Sequence, residues 1–348
     1  MRAVRVLHAG LGPIGAAALR QAAAKPGLTI VGGVDPDPAK AGRDVGDVCR
    51  LGRRLRLTVG CDLAQALRAT KPDIVVHCTS SSVAHVLPEI ETILGAKAAI
   101  VSTTEELSYP RPTHGREAEA IDRSARRAGV AVLATGVNPG FAMDALPIML
   151  TAACERVASV RVDRLQDARI RRRSFQEKIG AGLTVAEFWA RVEDGRVRHV
   201  GLAESVTMIA DACGWRLDRV VDRTRPRVAK ARVASRYFRV PPGRVSGIVQ
   251  DGTGYQKGRA VIRLHMEAYL GAPDTFDAIA IKGTPSLEMR IAHGIHGDVA
   301  TPALVINAIP KVLQAPPGLH TMRDLALPSF FPGLPGFPGL PGFPSVGR

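Results

Sequence analysis

Val4-Arg-Val-Leu-His-Ala-Gly10-Leu-Gly12-Pro-Ile-Gly15 is a short apolar run that ends in a G-x-G-x-x-G turn. A helical pattern, Ile14–Ala24, follows at once. In a strand–turn–helix setting each glycine has a separate task. Gly10 permits the tight turn, Gly12 lets the backbone approach a pyrophosphate, and Gly15 allows the helix to pack closely on the strand. With Leu11, Pro13 and Ile14 they present the helix N-terminus, its unpaired N–H groups and positive dipole end, to an anion. The next apolar run closes on Val34-Asp35, and Asp35 stands 20 residues beyond Gly15. That is the spacing of the carboxylate that bonds an adenine-ribose 2′-hydroxyl. Asp35 would repel a 2′-phosphate, and Lys40 and Arg43 close behind it would partly offset the repulsion. The reading is NAD, with NADP tolerated.

Outward from this stretch the same rhythm continues. The apolar runs Leu28–Val34, Asp73–Thr79, Ala98–Thr104 and Val130–Val137 alternate with helical segments, one of them spaced Ala118, Ile121, Ala125, Ala128 and stopped by Gly129. Strands alternating with helices of this length predict an α/β fold whose N-terminal part is a doubly wound (Rossmann) parallel sheet. After Asn138 the rhythm changes. Ile262, Leu264, Met266 and Ala268 alternate with Arg263, His265, Glu267 and Tyr269, and Val160–Gln166, Ser246–Asp251, Phe276–Lys282 and Ser286–Ala292 also read as strands. Helices are expected near Thr184–Val192 and Gly201–Ala212. This is a second, α+β domain on an open mixed or antiparallel sheet. The expected division is 1–137, 138–297, a final helix with Asp298 as cap packing back on the first domain, and a Pro/Gly-rich tail over 326–348. From Phe331 a Phe-Pro-Gly-Leu-Pro-Gly unit occurs twice, too few triplets for a collagen-like helix, so an extended tail is expected.

Composition removes several function classes. In 348 residues, 47 Lys+Arg against 32 Asp+Glu give a net charge of +15. Aromatic residues are only 4% and do not interleave with the basic clusters, so a nucleic-acid stacking surface is not expected. The nine basic residues between Arg216 and Arg239 read as the wet face of a strand. No apolar run is long enough to span a bilayer, and Met1 leads into the first strand with no cleavable signal pattern. Cys49, Cys61, Cys78, Cys154 and Cys213 form no C-x-x-C pair, which suggests free thiols in the cytoplasm.

The chemistry is expected where strands end. In a doubly wound sheet the ligand lies outside the carboxyl edge. Thr79 and Ser80 in His77–Ser82, and Ser102 and Thr103 in Ser102–Glu106, fall there and could line the cofactor crevice. The hydroxyls of 80–82 fit a helix cap equally well. Ser102-x-x-Glu105 and Thr103-x-x-Glu106 likewise both fit a capping box. Thr135-Gly-Val-Asn138-Pro-Gly-Phe141 ends the last of these strands, with Asn138 placed to hold a carboxamide and Phe141 to wall a pocket. A plain hinge is the competing reading. His293-x-x-His296-x-Asp298 offers three metal-ligand types, but no further Cys or His lies nearby and no metal is expected. No G-x-S-x-G elbow points to a covalent nucleophile.

Gly10–Gly15, Ser102–Leu107, Thr135–Asp144, Ser174-Phe-Gln-Glu-Lys-Ile-Gly180 and His293–Asp298 together resemble the 2,4-diaminopentanoate dehydrogenase family, which includes native amine dehydrogenases on a dihydrodipicolinate-reductase-like plan. The resemblance covers about residues 1–325. It implies NAD(P)-dependent oxidative deamination of an amine to a carbonyl compound and ammonia, and the reverse. It further implies that Glu105 is the acid/base, that Asn138 sits by the nicotinamide, and that His265 and Thr301 lie around the substrate. Phe141, Met143 and Leu183 suggest an apolar wall, Arg169 a carboxylate partner, and the sequence leaves both open. A cyclic-imine reductase would need a basic His-His-Arg-Lys cluster that is absent, and a non-catalytic NAD-binding regulator is the third reading. The exposed sheet of the second domain, with edges and an apolar face to cover, suggests a homodimer.

Overall fold

Val4–Ala9 forms β1, and its last four residues are buried, as in a parallel strand covered on both faces. The structure is a computed structural model and describes residues 2–197 and 199–334. The chain divides into two units, Met1–Gly136 with Val299–Arg348, and Val137–Asp298.

In the first unit β1 is followed by α1 (Pro13–Ala23), β2 (Leu28–Val34), α2 (Val45–Val48), β3 (Val59–Gly60), α3 (Leu63–Thr70), β4 (Ile74–His77), α4 (Val83–Gly95), β5 (Ala99–Ser102), α5 (Gly115–Ala128) and β6 (Ala131–Ala134). These strands pair in parallel in the order β6-β5-β4-β1-β2-β3, and a short strand, Gly318–His320, adds beyond β6. The order reverses between β1 and β4, so the turn after β1 and the segment after β4 flank the switch point. α5 shows why the pattern was readable. Ala118, Ile121 and Ala125 lie on its buried face, Glu117 sits in its first turn, Arg126 and Arg127 in its last, and Gly129 ends it with a left-handed φ of 73°. Its apolar stripe joins Leu7, Val75, Ile90, Ile100 and Val132 in one core. β3 has only two residues and no apolar run to announce it.

The second unit holds α6 (Ala145–Leu150), β7 (Arg156–Asp167), α7 (Arg173–Lys178), α8 (Val185–Glu193), α9 (Leu202–Ala212), β8 (Arg219–Val228), the small pair β9 (Val233–Ala234) and β10 (Arg239–Val240), β11 (Val245–Gln256), β12 (Arg259–Tyr269), β13 (Phe276–Thr284) and β14 (Leu287–Ala292). The sheet is mixed, in the order β14-β13-β7-β12-β11-β8, with only β7 and β12 parallel. α9 lies on one face. A Cβ on Gly254 would sit 2.9 Å from Val206 Cγ1, and one on Gly252 3.3 Å from Leu202, so these glycines let the helix approach. The arginines of β8 occupy an edge strand, where Pro226 costs no ladder bond between neighbours.

α10 (Gly297–Gln314) begins one residue before Asp298, so Asp298 falls in the first turn and is not the cap. At the chain's end Phe331 N donates to Asn307 Oδ1 at 3.0 Å, Leu334 N donates to Pro26 O at 2.8 Å, and Lys25 Nζ lies 4.1 Å from the Phe330 ring centroid. The start of the repeat therefore lies along its own first unit, and the rest of the Pro/Gly-rich tail falls outside the described residues. Among the described residues no helix is long and apolar enough to cross a membrane.

Candidate active site

The glycine turn has the three separate geometries that its sequence suggests. Gly10 has a φ of +85°, and a Cβ there would lie 2.4 Å from Cys78 O in the segment after β4. A Cβ on Gly15 would lie 1.9 Å from Gly10 O, whereas one on Gly12 would meet nothing within 4 Å. Gly12 is the N-cap of α1 and supplies no side-chain bond, and Pro13 opens the helix. The turn is closed on its packed sides and open at Gly12, at the N-terminus of α1. A dinucleotide pyrophosphate fits these features.

Asp35 follows β2 and is buried. Its Oδ2 accepts from Leu11 N at 2.7 Å and Lys40 Nζ at 2.8 Å, and its Oδ1 from Asp37 N at 3.0 Å. Burial alone would raise its pKa. The bond from Lys40 and those from the two backbone N–H groups outweigh burial and hold the carboxyl below its usual range. Lys40 thus pairs with Asp35, whereas Arg43 is exposed and its guanidinium donates to Ala39 O at 3.4 Å.

The residues after β4 and β5 are used differently from the expectation. Ser102 is fully buried, 3.0 Å from His77 Nδ1 and 2.9 Å from Thr104 Oγ1, so its hydroxyl faces the sheet interior and not a crevice. Thr79 donates to Glu89 Oε2 at 2.7 Å, and Ser80 Oγ accepts from Ser82 N at 3.2 Å. Thr103 N donates to His77 O at 2.9 Å. The 3₁₀ turn that follows has Thr104 at its N-cap, not Ser102 or Thr103. Instead Glu106 reaches back to α4 and accepts from Val83 N at 2.9 Å, the capping task expected of Ser80–Ser82. Glu105 opens a 3₁₀ turn, Glu105–Ser108, and is half-buried. Burial pushes the Cys78 thiol up to about 12, away from the thiolate form.

In the second unit Asn138 is buried, with Nδ2 3.1 Å from Met143 Sδ and 3.7 Å from Met266 Sδ. Its Oδ1 has no hydrogen-bond partner among the described residues. A buried amide oxygen without a donor is costly unless a ligand N–H completes it. Asp144 fixes the turn around it, accepting from Gly140 N at 2.8 Å, Ala145 N at 2.6 Å and Ser205 Oγ at 2.7 Å, and burial raises its pKa. Phe141 is half-buried and Met143 fully buried.

His265 is elsewhere. Met266 and Asn138 share one side of β12, and the period of two sends His265 to the other, where Nδ1 lies 2.6 Å from Asp251 and Nε2 3.2 Å from Glu267. It is not in the wall that Asn138 and Met143 form. That open face also carries Arg161, Asp163 and Arg225 in ion pairs, and it is the polar side of the alternation along β12. Arg169 is exposed and paired with Asp167. Within the run Arg169–Arg173 it is Arg171 that is buried, and sequence reasoning passed over it as one of that run. It donates to Gln166 Oε1 at 2.6 Å and Asp298 Oδ1 at 3.0 Å and stacks 4.0 Å from the Phe175 centroid. Asp298 is also bonded by Arg172, so it is not offered to a metal with His293 and His296. Among the described residues no three His, Cys, Asp or Glu side chains gather as a metal site. Thr301 lies near the start of α10, half-buried, in the first unit.

The model of the 2,4-diaminopentanoate dehydrogenase C-terminal domain matches residues 141–333. A 2,4-diaminopentanoate dehydrogenase of Acetoanaerobium sticklandii is 34% identical over 336 residues, covering 94% of this chain and 95% of that one. The chain belongs to the 2,4-diaminopentanoate dehydrogenase family. A more distant relative is an amine dehydrogenase of Streptomyces virginiae, 23% identical, with 91% of this chain and 95% of that one covered. The solved amine dehydrogenase of Mycobacterium smegmatis shares the fold, with a TM-score of 0.86 at 24% identity over 95% of this chain and 98% of that one. The family resemblance seen in the sequence is therefore correct, and the mixed second sheet described above is the part that the domain model spans.

Proposed function

We propose that this protein catalyses the reversible oxidative deamination of a small amine to a ketone or aldehyde and ammonia, with NAD preferred and NADP accepted. Membership of the family makes it an oxidoreductase of the amine dehydrogenase kind. The observation that carries the active-site reading is the buried, unpaired Oδ1 of Asn138 on a turn held rigid by Asp144. It suits an amide N–H of the nicotinamide. Gly10–Gly15 would hold the pyrophosphate and Asp35 the ribose. When bound, the nicotinamide supplies the hydride acceptor.

This chain's own residues then have two tasks. An amine arrives as an ammonium ion near neutral pH and must lose a proton before its carbon can give up hydride. Glu105 takes that proton, and later assists water as it adds to the substrate iminium before ammonia departs. Phe141 and Met143 keep the reacting carbon in apolar surroundings.

NAD preference follows from Asp35, and tolerance of NADP from Lys40, whose ammonium neutralises it. The cytoplasm suits five cysteines that are all free. A homodimer suits the open sheet face, where Arg227 stacks on Tyr269 at 4.7 Å and Arg290 on Phe276 at 3.9 Å, a composition typical of interfaces. The activity is tested by following NADH with ketones and aldehydes, with and without ammonium. Oxidation that requires both supports the proposal. Consumption only with a cyclic imine would make the protein an imine reductase, and binding without turnover a regulator.

A further inference from the structure

On the α9 side of the second unit's sheet one buried row crosses three strands. Asp277 of β13 pairs in register with Arg164 of β7, and Arg164 with Met266 of β12. Residues paired in this way present their side chains on the same face. All three are buried, Arg164 to 1% exposure and Asp277 to 3%. Met266 links the row to the candidate site, since its Sδ lies 3.7 Å from Asn138 Nδ2. A guanidinium one strand away from that contact would ordinarily be read as a holder of a substrate carboxylate, because an arginine fork fits a carboxylate with two parallel bonds.

The partners of Arg164 speak against that role. Nη1 donates to Asp277 Oδ1 at 2.5 Å and Nη2 to Ile295 O at 2.6 Å, while Ile295 N donates to Asp277 Oδ2 at 2.7 Å. The three residues close a ring of bonds that engages the Nη1–Nη2 edge and both carboxylate oxygens. Burial works against the charge of Arg164, and the charge of Asp277 opposes that effect. The nearby arginines are answered in the same way. Arg171 donates to Asp298 Oδ1 at 3.0 Å, and exposed Arg169 pairs with Asp167 at 2.7 Å. Arg171 Nε and His296 Nδ1 have no hydrogen-bond partner among the described residues, and both side chains line a cavity of about 40 Å³. Water or an uncharged oxygen completes an N–H there, since Asp298 already balances the charge behind it. A buried ion pair is often only a brace, here for the turn at Ile295, and a brace would have no bearing on substrate choice.

We propose that the substrate is an amine whose remainder is uncharged, and that Asp277 sets this choice by neutralising Arg164. The inference rests on the amine dehydrogenase reading and on Asn138 lying at the reacting end. A substrate carboxylate would enter a buried face on which each cation already has its aspartate, and a buried charge without a counter-ion is costly. An alkyl group in the same space meets Met143 and Met266, the two thioethers beside Asn138, which accept apolar shapes readily. Asp277 acts through Arg164, so it is a positioning residue that determines specificity by charge.

The test follows NAD-dependent oxidation, by the full chain, of amines in pairs that differ only by a methyl against a carboxylate, such as pentan-2-amine and 4-aminopentanoate. The parent protein should favour the uncharged member by at least ~100-fold in kcat/KM, the scale of an unpaired buried charge. Asp277→Asn keeps the shape of the pair but leaves Arg164 without a counter-ion, and the ratio should fall at least ~10-fold. Both amines are measured on one preparation, so loss of folded protein cancels from the ratio. Propionate should raise the Tm of Asp277→Asn and leave that of the parent unchanged. Should the single variant fail to fold, Arg164→Met with Asp277→Leu removes both charges at once, and it should keep the parent's preference. A parent that uses the acid as well as the uncharged amine overturns the proposal. An unchanged ratio in folded Asp277→Asn also overturns it and leaves the pair as a brace for Ile295, and so does a double variant that turns to the acid. Oxidation of no amine in the series would remove the amine dehydrogenase reading itself.

Discussion

Glu106 commits its carboxylate to the first turn of α4 through Val83 N and lies 3.4 Å from His114 Nε2, while its neighbour Glu105 opens the turn that follows β5. The two should therefore fail differently. Glu105→Gln is expected to stay folded and to bind NADH, yet to lose at least ~100-fold in kcat, as removal of a general base typically does. Glu106→Gln is expected to lower stability by about 1 kcal/mol, the scale of a helix cap, with far less effect on kcat. Stopped-flow NADH kinetics and urea denaturation of both variants decide the matter. The proposed NAD preference makes Asp35 and Lys40 a pair to be tested together. Asp35→Ala should weaken NADH by about 1–2 kcal/mol and improve NADPH, while Lys40→Ala should leave an uncompensated carboxylate and worsen NADPH further. An unchanged ratio of the two cofactors' dissociation constants in Asp35→Ala would place Asp35 away from the ribose.

Asp298 illustrates how an element's start can be more than a cap. Lying within the first turn of α10, it receives Arg172 N at 2.9 Å together with the guanidinium groups of Arg171 and Arg172. Burial would raise its carboxyl, but the charge of Arg171 chiefly, then that of Arg172, lowers it to about 2. A carboxyl depressed in the folded state stabilises at pH above its ordinary value of 3.8, and that stability is lost as pH falls through about 2. Asp298→Asn should cost about 3–5 kcal/mol at neutral pH, because Arg171 is left buried with only Gln166 and the Phe175 ring. The difference from the parent should shrink on acidification below pH 4. Urea titrations at pH 7 and pH 3 measure both effects, and equal stabilities at pH 7 would show that the pair contributes nothing net.

At the scale of the whole molecule, the second unit's sheet leaves β14 and β8 as edges and a face of arginines, aromatic rings and ion pairs uncovered by α9. Light scattering at micromolar concentration is expected to give twice the 37.0 kDa chain mass, and a monomer would count against pairing through this face. The sequence by itself determined the strand–turn–helix of Val4–Ala23, the parallel alternation up to Ala134, the change of period after Asn138 and the family, because each is written in local spacing that survives without partners. It also singled out Gly10–Gly15, Asp35 and Asn138 as candidates, because each stands at a turn or strand end that is written locally. What it left open was every choice made by contact across distance. Only the tertiary structure separated Glu106 from Glu105, paired Lys40 with Asp35, turned His265 away from Met266's side of the sheet, drew Arg171 inward while Arg169 stayed in water, and joined Arg164 to Asp277. Glu106 beside Glu105, and Arg171 beside Arg172 and Arg173, are identical in kind to their neighbours in the chain. A side chain's partner depends on which strand lies beside it, and strand order is set by packing the whole sheet.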